Sequence, residues 1–240
     1  MQGVKERLKR YTSRKHDELL IAAKDNLLFT LDLIEISKEI IITERDGNED
    51  QCDYLPLMIL HLRSTEDTLN KSLELLKSKS SIDRELGCRI LREFPRLDEH
   101  PTKFSERIID SMALLIEKEK DESVLLSAMS TIGWQGLDKG HEILLRMSTD
   151  YRDNVRYVVA NNLLMVFRDN RKVTKETARI FLKFAKDSDE DIRRSVFYDI
   201  AEFPDLFSDF KEEFKEAAKY AKNDRSTDVR NDAIRAFDAL

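Results

Sequence analysis

Five short segments of the 240-residue chain repeat one helical pattern at nearly even spacing. They begin at Asp83, Val124, Val155, Ile192 and Val229, so the steps between them are 41, 31, 37 and 37 residues. A two-helix unit of that length cannot bury its apolar face alone, and repeated units must stack to form a continuous core. The ninth positions of the pattern, Leu91, Ile132, Leu163, Ile200 and Phe237, are all apolar. The fifth positions, Gly87, Ala128, Val159, Val196 and Ala233, are small or β-branched. Positions one, five and nine share one face of a helix, and a small residue at five lets a neighbouring helix come close.

Each of these segments follows a second amphipathic stretch. Ser64–Glu66 offers cap residues for a helix to about Lys77, ahead of a helix that begins at Ser81 and ends at Phe94-Pro95. Phe104–Lys118 precedes Ser123–Trp134, and Lys139–Met147 precedes Arg152–Phe167. Lys175–Lys186 precedes Asp191–Phe203, and Phe210–Lys222 precedes Thr227–Leu240. Pro95 and Pro204 stop the equivalent helices in two repeats. Upstream, Val4–Glu44 reads as two helices with a break near Lys24-Asp25-Asn26. Leu27, Leu28, Leu31, Leu33, Ile34, Ile36 and Ile40 give it a wide apolar face for packing on the first repeat. An acidic loop near 45–52, with an Asp-Gly turn signal, separates it from a compact apolar helix over Tyr54–Leu62. The expected fold is all-α: an α-solenoid of about five helix pairs over 63–240, one continuous structural unit, behind an atypical helical cap over 1–62.

The string Asp-x-x-x-Val-Arg-x-x-Ala, nearly complete at Arg225–Ala233, resembles the second helix of HEAT and bilin-lyase-type HEAT-like repeats. The resemblance covers about residues 64–240 and speaks to fold. It implies that the second-position arginines, here Arg84, Arg156, Arg193 and Arg230, pair with acidic residues in the turns. The chain departs from the pattern at Asp83, at Leu125 in place of the arginine, and in the short step of 31.

Charged residues make up 37% of the chain against only 6 Gly and 4 Pro, a composition suited to exposed amphipathic helices. No apolar run approaches the roughly 20 residues of a membrane span. Cys52 and Cys88 have no CxxC partner, and a buried reduced thiol at Cys88 fits a cytoplasmic location. The net charge of −6 is uneven: residues 1–16 hold six Lys and Arg against Glu6, a balance of +5, which leaves −11 for the rest. A body that acidic repels phosphate backbones and attracts basic proteins.

Catalytic and metal-binding patterns are missing. His16, His61, His100 and His141 lack ligand partners at metal spacing. The loop Asp46, Asn48, Asp50 starts like a calcium site, but Gln51 stands where Gly is needed and Leu57 where Glu is needed. Gly133, Gly136 and Gly140 make a turn, with no Lys-Ser or Lys-Thr to complete a phosphate loop. Trp134 followed by Asp138 loosely resembles the aromatic and acidic pair of the alkylpurine DNA glycosylases, a HEAT-like DNA-repair family, although an acidic body is ill suited to DNA. No cofactor is expected.

Positions three, seven and eleven of the second helices turn away from the core face. These columns hold Glu85, Arg89, Trp134, Tyr157, Asn161, Arg194, Tyr198 and Glu202, with Leu126, Ser130, Asn231 and Arg235 beside them. Tyr, Trp and Arg beside carboxylates are the residue types that anchor protein interfaces. The expected function is therefore non-catalytic binding of a basic protein, as an inhibitor or immunity protein against a toxin such as a nuclease. A scaffold in a larger assembly and a glycosylase-like enzyme are the alternatives.

Overall fold

The computed structural model describes residues 2–11, 15–63, 65–94, 102–167 and 172–240. Ser64, Pro95 and His100, given roles or considered above, lie outside the described residues. Among those described there are fourteen α-helices, joined by turns and short 3₁₀ segments, and no strand. The fold is all-α. The chain forms two compact units, Met1–Gln135 and Gly136–Leu240.

The first unit carries α1 (Gln2–Leu8), α2 (His16–Ala23), α3 (Thr30–Arg45), α4 (Leu55–Leu62), α5 (Glu66–Leu75), α6 (Ser81–Arg92), α7 (Ser105–Ile116) and α8 (Glu122–Gln135). The segment read as one helix before the Lys24 break is two helices, α1 and α2. Asp25 explains the reversal, because it accepts from the Arg7 guanidinium and, at 2.8 Å, from the Tyr11 hydroxyl. That draws the end of α1 onto the turn behind α2. α3 packs on α4 and on α6 through Leu33, Ile34, Ile36, Ile40 and Ile41, all buried. Leu27 and Leu31 were expected on this face, but they are 56% and 58% exposed. They sit before and at the first turn of α3, outside the 3,4 register of its buried stripe.

Two helix pairs follow, α5 with α6 and α7 with α8, and α6 packs along α8. Thr65 caps α5 by accepting the Thr68 amide at 3.2 Å. Gly87 shows why the fifth position is small. A Cβ there would lie 2.9 Å from Leu76 Cδ2 and 3.0 Å from the Ser72 carbonyl oxygen of α5.

The second unit contains α9 (Asp138–Met147), α10 (Asp153–Asn162), α11 (Lys175–Phe184), α12 (Glu190–Glu202), α13 (Lys211–Ala221) and α14 (Thr227–Ala239). They pair as α9 with α10, α11 with α12 and α13 with α14, and the second helices α10, α12 and α14 pack in succession. Val155, Val159, Ile192, Val196, Ile200, Val229 and Ala233 are fully buried between them. α10 is shorter than its pattern and continues as a 3₁₀ segment, Leu163–Phe167. Asn161 and Asn162 there donate their side-chain amides to the carbonyls of Tyr157 and Val158, competing with the helix ladder. Of the three glycines near the end of α8, only Gly136 makes the turn, at φ +69°. Gly133 lies inside α8 and Gly140 inside α9, both buried.

Candidate protein-binding face

The recurrent arginines are structural. Arg84 donates twice to the Glu119 carboxylate (2.7 and 2.9 Å) and to the carbonyls of Ser78 and Lys79. Arg193 repeats this with Asp224 (2.8 and 2.9 Å) and the carbonyls of Asp187 and Ser188. Arg156 pairs with Asp187 in the same two-pronged way, at 2.8 Å for both bonds. Each guanidinium thus closes the turn before its own helix and clamps the turn of the following pair. Bidentate geometry of this kind is specific to Arg. The guanidinium bonds hold the Glu119 and Asp224 carboxyls below the usual carboxylate range. At Arg230, in the last pair, the partners among the described residues are the carbonyls of Asp224 and Arg225 and the Thr227 hydroxyl. Asp150, in the turn before α10, is held by Arg152 (2.8 and 2.9 Å).

In the first unit the outward column is not open. Glu85 is 2% exposed, a correction to its expected place on a free surface. Its carboxylate receives Arg45 from the end of α3 (2.7 and 3.0 Å) and Arg89 from the next turn of α6 (2.6 Å). Arg89 also meets Glu44 at 2.5 Å, and Arg45 reaches Asp121 at 3.0 Å. Five charges therefore close on one another across α3, α6 and the turn before α8. Arg45 and Glu44 carry no repeat signal, since 40 residues separate Arg45 from Glu85, and sequence spacing missed them. Trp134 is half-buried in the last turn of α8. Asp138, exposed, opens α9 beyond the Gly136 turn, so the two belong to different helices.

In the second unit the column is open. Tyr157 and Asn161 on α10, and Arg194, Tyr198 and Glu202 on α12, are all exposed, and the packing of α10 on α12 brings them together. Ser195 bridges the helices with a hydroxyl bond to the Asn161 side-chain oxygen at 3.3 Å. Asp232 of α14, which sequence reading passed over, organises the far side. It is 7% exposed and accepts from Arg194 at 3.2 Å and Arg235 at 2.9 Å. The sequence signal was present: position four is Leu86, Ser127, Val158 and Ser195 in the other repeats, and only here a carboxylate. Arg235 also pairs with Glu202, and its guanidinium lies 5.8 Å from the Tyr198 ring centre. Two tyrosines, 43% and 47% exposed, thus stand among salt-bridged side chains on well-packed helices. Phe203, 52% exposed, extends this surface past the end of α12.

Behind Tyr198, Asp199 turns inward, and desolvation pushes its carboxyl up to about 7. Elsewhere the basic amino terminus is partly paired, Lys5 with Glu39 and Arg7 with Asp25, while Val4 and Leu8 are buried. Cys88 is fully buried and free, and burial pushes its thiol up. Among the described residues no three His, Cys, Asp or Glu converge as metal ligands, and no helix is long and apolar enough to cross a membrane.

No family model matches the chain, and no curated protein matches it. A solved structure does: the crystal structure of an engineered protein, a target of the Northeast Structural Genomics Consortium. It is similar over 100% of this chain and 96% of its own, at 15% identity and a TM-score of 0.53. At that identity the likeness is one of fold, and the chain is an all-α protein that shares its helical arrangement with an engineered one.

Proposed function

We propose that the chain is a non-catalytic, HEAT-like protein-binding module that docks its partner on the second-helix face of residues 136–240. The observation that carries this reading is the pair Tyr157 and Tyr198, exposed on adjacent helices and framed by Arg194, Arg235, Glu202 and Asp232. Aromatic rings on rigid elements give contact area at small entropic cost, and the surrounding charges set orientation. Within this reading the protein is a cytoplasmic inhibitor, an immunity protein that covers the active surface of a basic toxin such as a nuclease.

The charge distribution assigns separate tasks. Residues 136–240 hold 20 Lys and Arg and 21 Asp and Glu, a net charge of −1, which leaves −5 for residues 1–135. With +5 over residues 1–16, the stretch 17–135 carries −10. Long-range attraction of a basic partner then comes from the first unit, and short-range anchoring from the tyrosine face of the second. The test is capture of the partner from the source cell, followed by titration of the purified pair. Tyr157→Ala with Tyr198→Ala is expected to raise Kd at least tenfold, mainly through faster dissociation, and added salt to slow association. Unchanged affinity in the double variant removes the face. Failure of co-expression to protect cells from a captured toxin removes the inhibitor role and leaves a scaffold.

A further inference from the structure

Between the first helices of consecutive pairs each unit has a groove, and the linings of the two grooves match in part. The arginine–carboxylate clamps, Arg84–Glu119 and Arg193–Asp224, line both and set the register. In that register Leu73, Leu76, Lys77, Ser111 and Leu115 of the α5–α7 groove match Leu182, Ala185, Lys186, Glu216 and Tyr220 of the α11–α13 groove. The exchange of Leu76 for Ala185 removes bulk from the floor, and the cavity volume rises from about 440 to about 970 Å³. Arg107, which bridges α7 to α5 by bonds to Glu66 and Asn70 (both 2.9 Å), has Glu212 at its matching position. The bridge is lost and the rim changes sign.

The wider groove has an apolar floor of Leu182, Ala185, Ala217 and Ala221. Its α13 rim carries Glu212, Glu213 and Glu216; among the described residues the first two form no ion pair, and Lys219 lies 4.0 Å from Glu216. Tyr220, 78% exposed, stands one turn beyond Glu216. Arg193 is cancelled by Asp224, so Lys186 on the lining, with Lys219 beside Glu216, is left to offset the three glutamates. We infer that this groove is a second docking site, separate from the tyrosine face, for a basic amphipathic helix of a partner protein. A helix is about 10–12 Å across with its side chains and fits between two diverging helices as a third. Its apolar stripe would cover the alanine floor and the Tyr220 ring, and Lys or Arg one turn apart would meet Glu212 and Glu216. The narrow groove of the first unit, with Lys77 and Lys118 on its rim and no free carboxylate, repels the same ligand.

The site can be probed with a synthetic 18-residue helix bearing one leucine stripe flanked by lysines, its binding followed by fluorescence anisotropy on the full chain. Two controls are the glutamate version of that helix and a scrambled peptide of equal positive charge. Binding of the lysine helix is expected to weaken at least tenfold in Glu212→Lys/Glu213→Lys/Glu216→Lys. A similar loss is expected in Ala217→Trp, which fills the floor without changing charge. Three reversals elsewhere in the unit, Glu142→Lys, Asp205→Lys and Asp238→Lys, should cost less than threefold. Circular dichroism melts verify that each variant is folded. Equal losses from the two triple variants, equal affinity for the scrambled peptide, or unchanged binding in Ala217→Trp would each overturn the site. Because Tyr157 and Tyr198 stay intact in every variant, the result is independent of the second-helix face.

Discussion

Glu85 and Arg89 of α6 occupy the same pattern positions as Tyr157 and Asn161 of α10 and Arg194 and Tyr198 of α12, yet their environments are opposite. The α6 pair is closed into a network with Arg45, Glu44 and Asp121, whereas the α10 and α12 residues face solvent. The difference comes from α3. That helix packs across α6 and delivers Glu44 and Arg45 from its last turn, while α12 packs along its sister helices α10 and α14. A column of repeat positions is thus a surface only where no added element covers it.

The largest expected effect tests that contrast directly. Glu85→Ala leaves Arg45 and Arg89 half-buried with their central anion gone, and should cost about 3–5 kcal/mol in chemical denaturation. Arg194→Ala, at the matching third position of α12, removes a half-exposed arginine whose partner Asp232 keeps Arg235, and should stay under about 1 kcal/mol. Equal costs at the two sites would break the distinction. Next comes Gly87→Ala in the first unit, where the added methyl meets a backbone carbonyl and should cost about 1–3 kcal/mol. Ala233→Gly, at the same pattern position in α14, should lose only about 1 kcal/mol through helix propensity.

An effect of opposite sign belongs to Asp199. Its folded carboxyl titrates at about 7, above its ordinary range, so the folded protein holds a proton there that the unfolded chain has released. Stability should therefore fall as pH rises from about 4 toward 7, with the full cost present above 7. Asp199→Asn should remove that slope and raise the melting temperature at pH 8, while leaving it nearly unchanged at pH 4. The clamp carboxylates Glu119, Asp187 and Asp224 run the other way. Their folded values are lowered, so their contribution is present above about pH 4 and disappears on acidification. The smallest effect is on stability in Tyr198→Ala, expected within about 0.5 kcal/mol because the ring is half exposed. A much larger loss would mean that the ring serves packing and not recognition.

Much of the architecture was legible in the residues because burial on a helix is periodic. Positions one, five and nine predicted the buried faces of α8, α10 and α12, and the recurrent arginine predicted a partner in the turn. Where the reading went astray, the cause was a contact between distant segments. The split between α1 and α2 follows from Asp25 accepting Arg7 and Tyr11, and the exposure of Leu27 and Leu31 from where α3 starts. Asp232 was missed because position four belongs to neither the core column nor the outward one, although a carboxylate there needs cations and finds Arg194 and Arg235.

What the sequence by itself determined is the all-α fold, the pairing of helices and the inward faces, since hydrophobic spacing and Arg–carboxylate chemistry act within one repeat or between neighbours. Only the tertiary structure decided which outward positions are surface. Exposure at Glu85 or Tyr198 depends on whether a segment some 40 residues away crosses that face, and no local period records such a crossing. The two grooves make the same point. Their lining residues can be read in register, but width and sign emerge only when side chains from two helices meet across the gap.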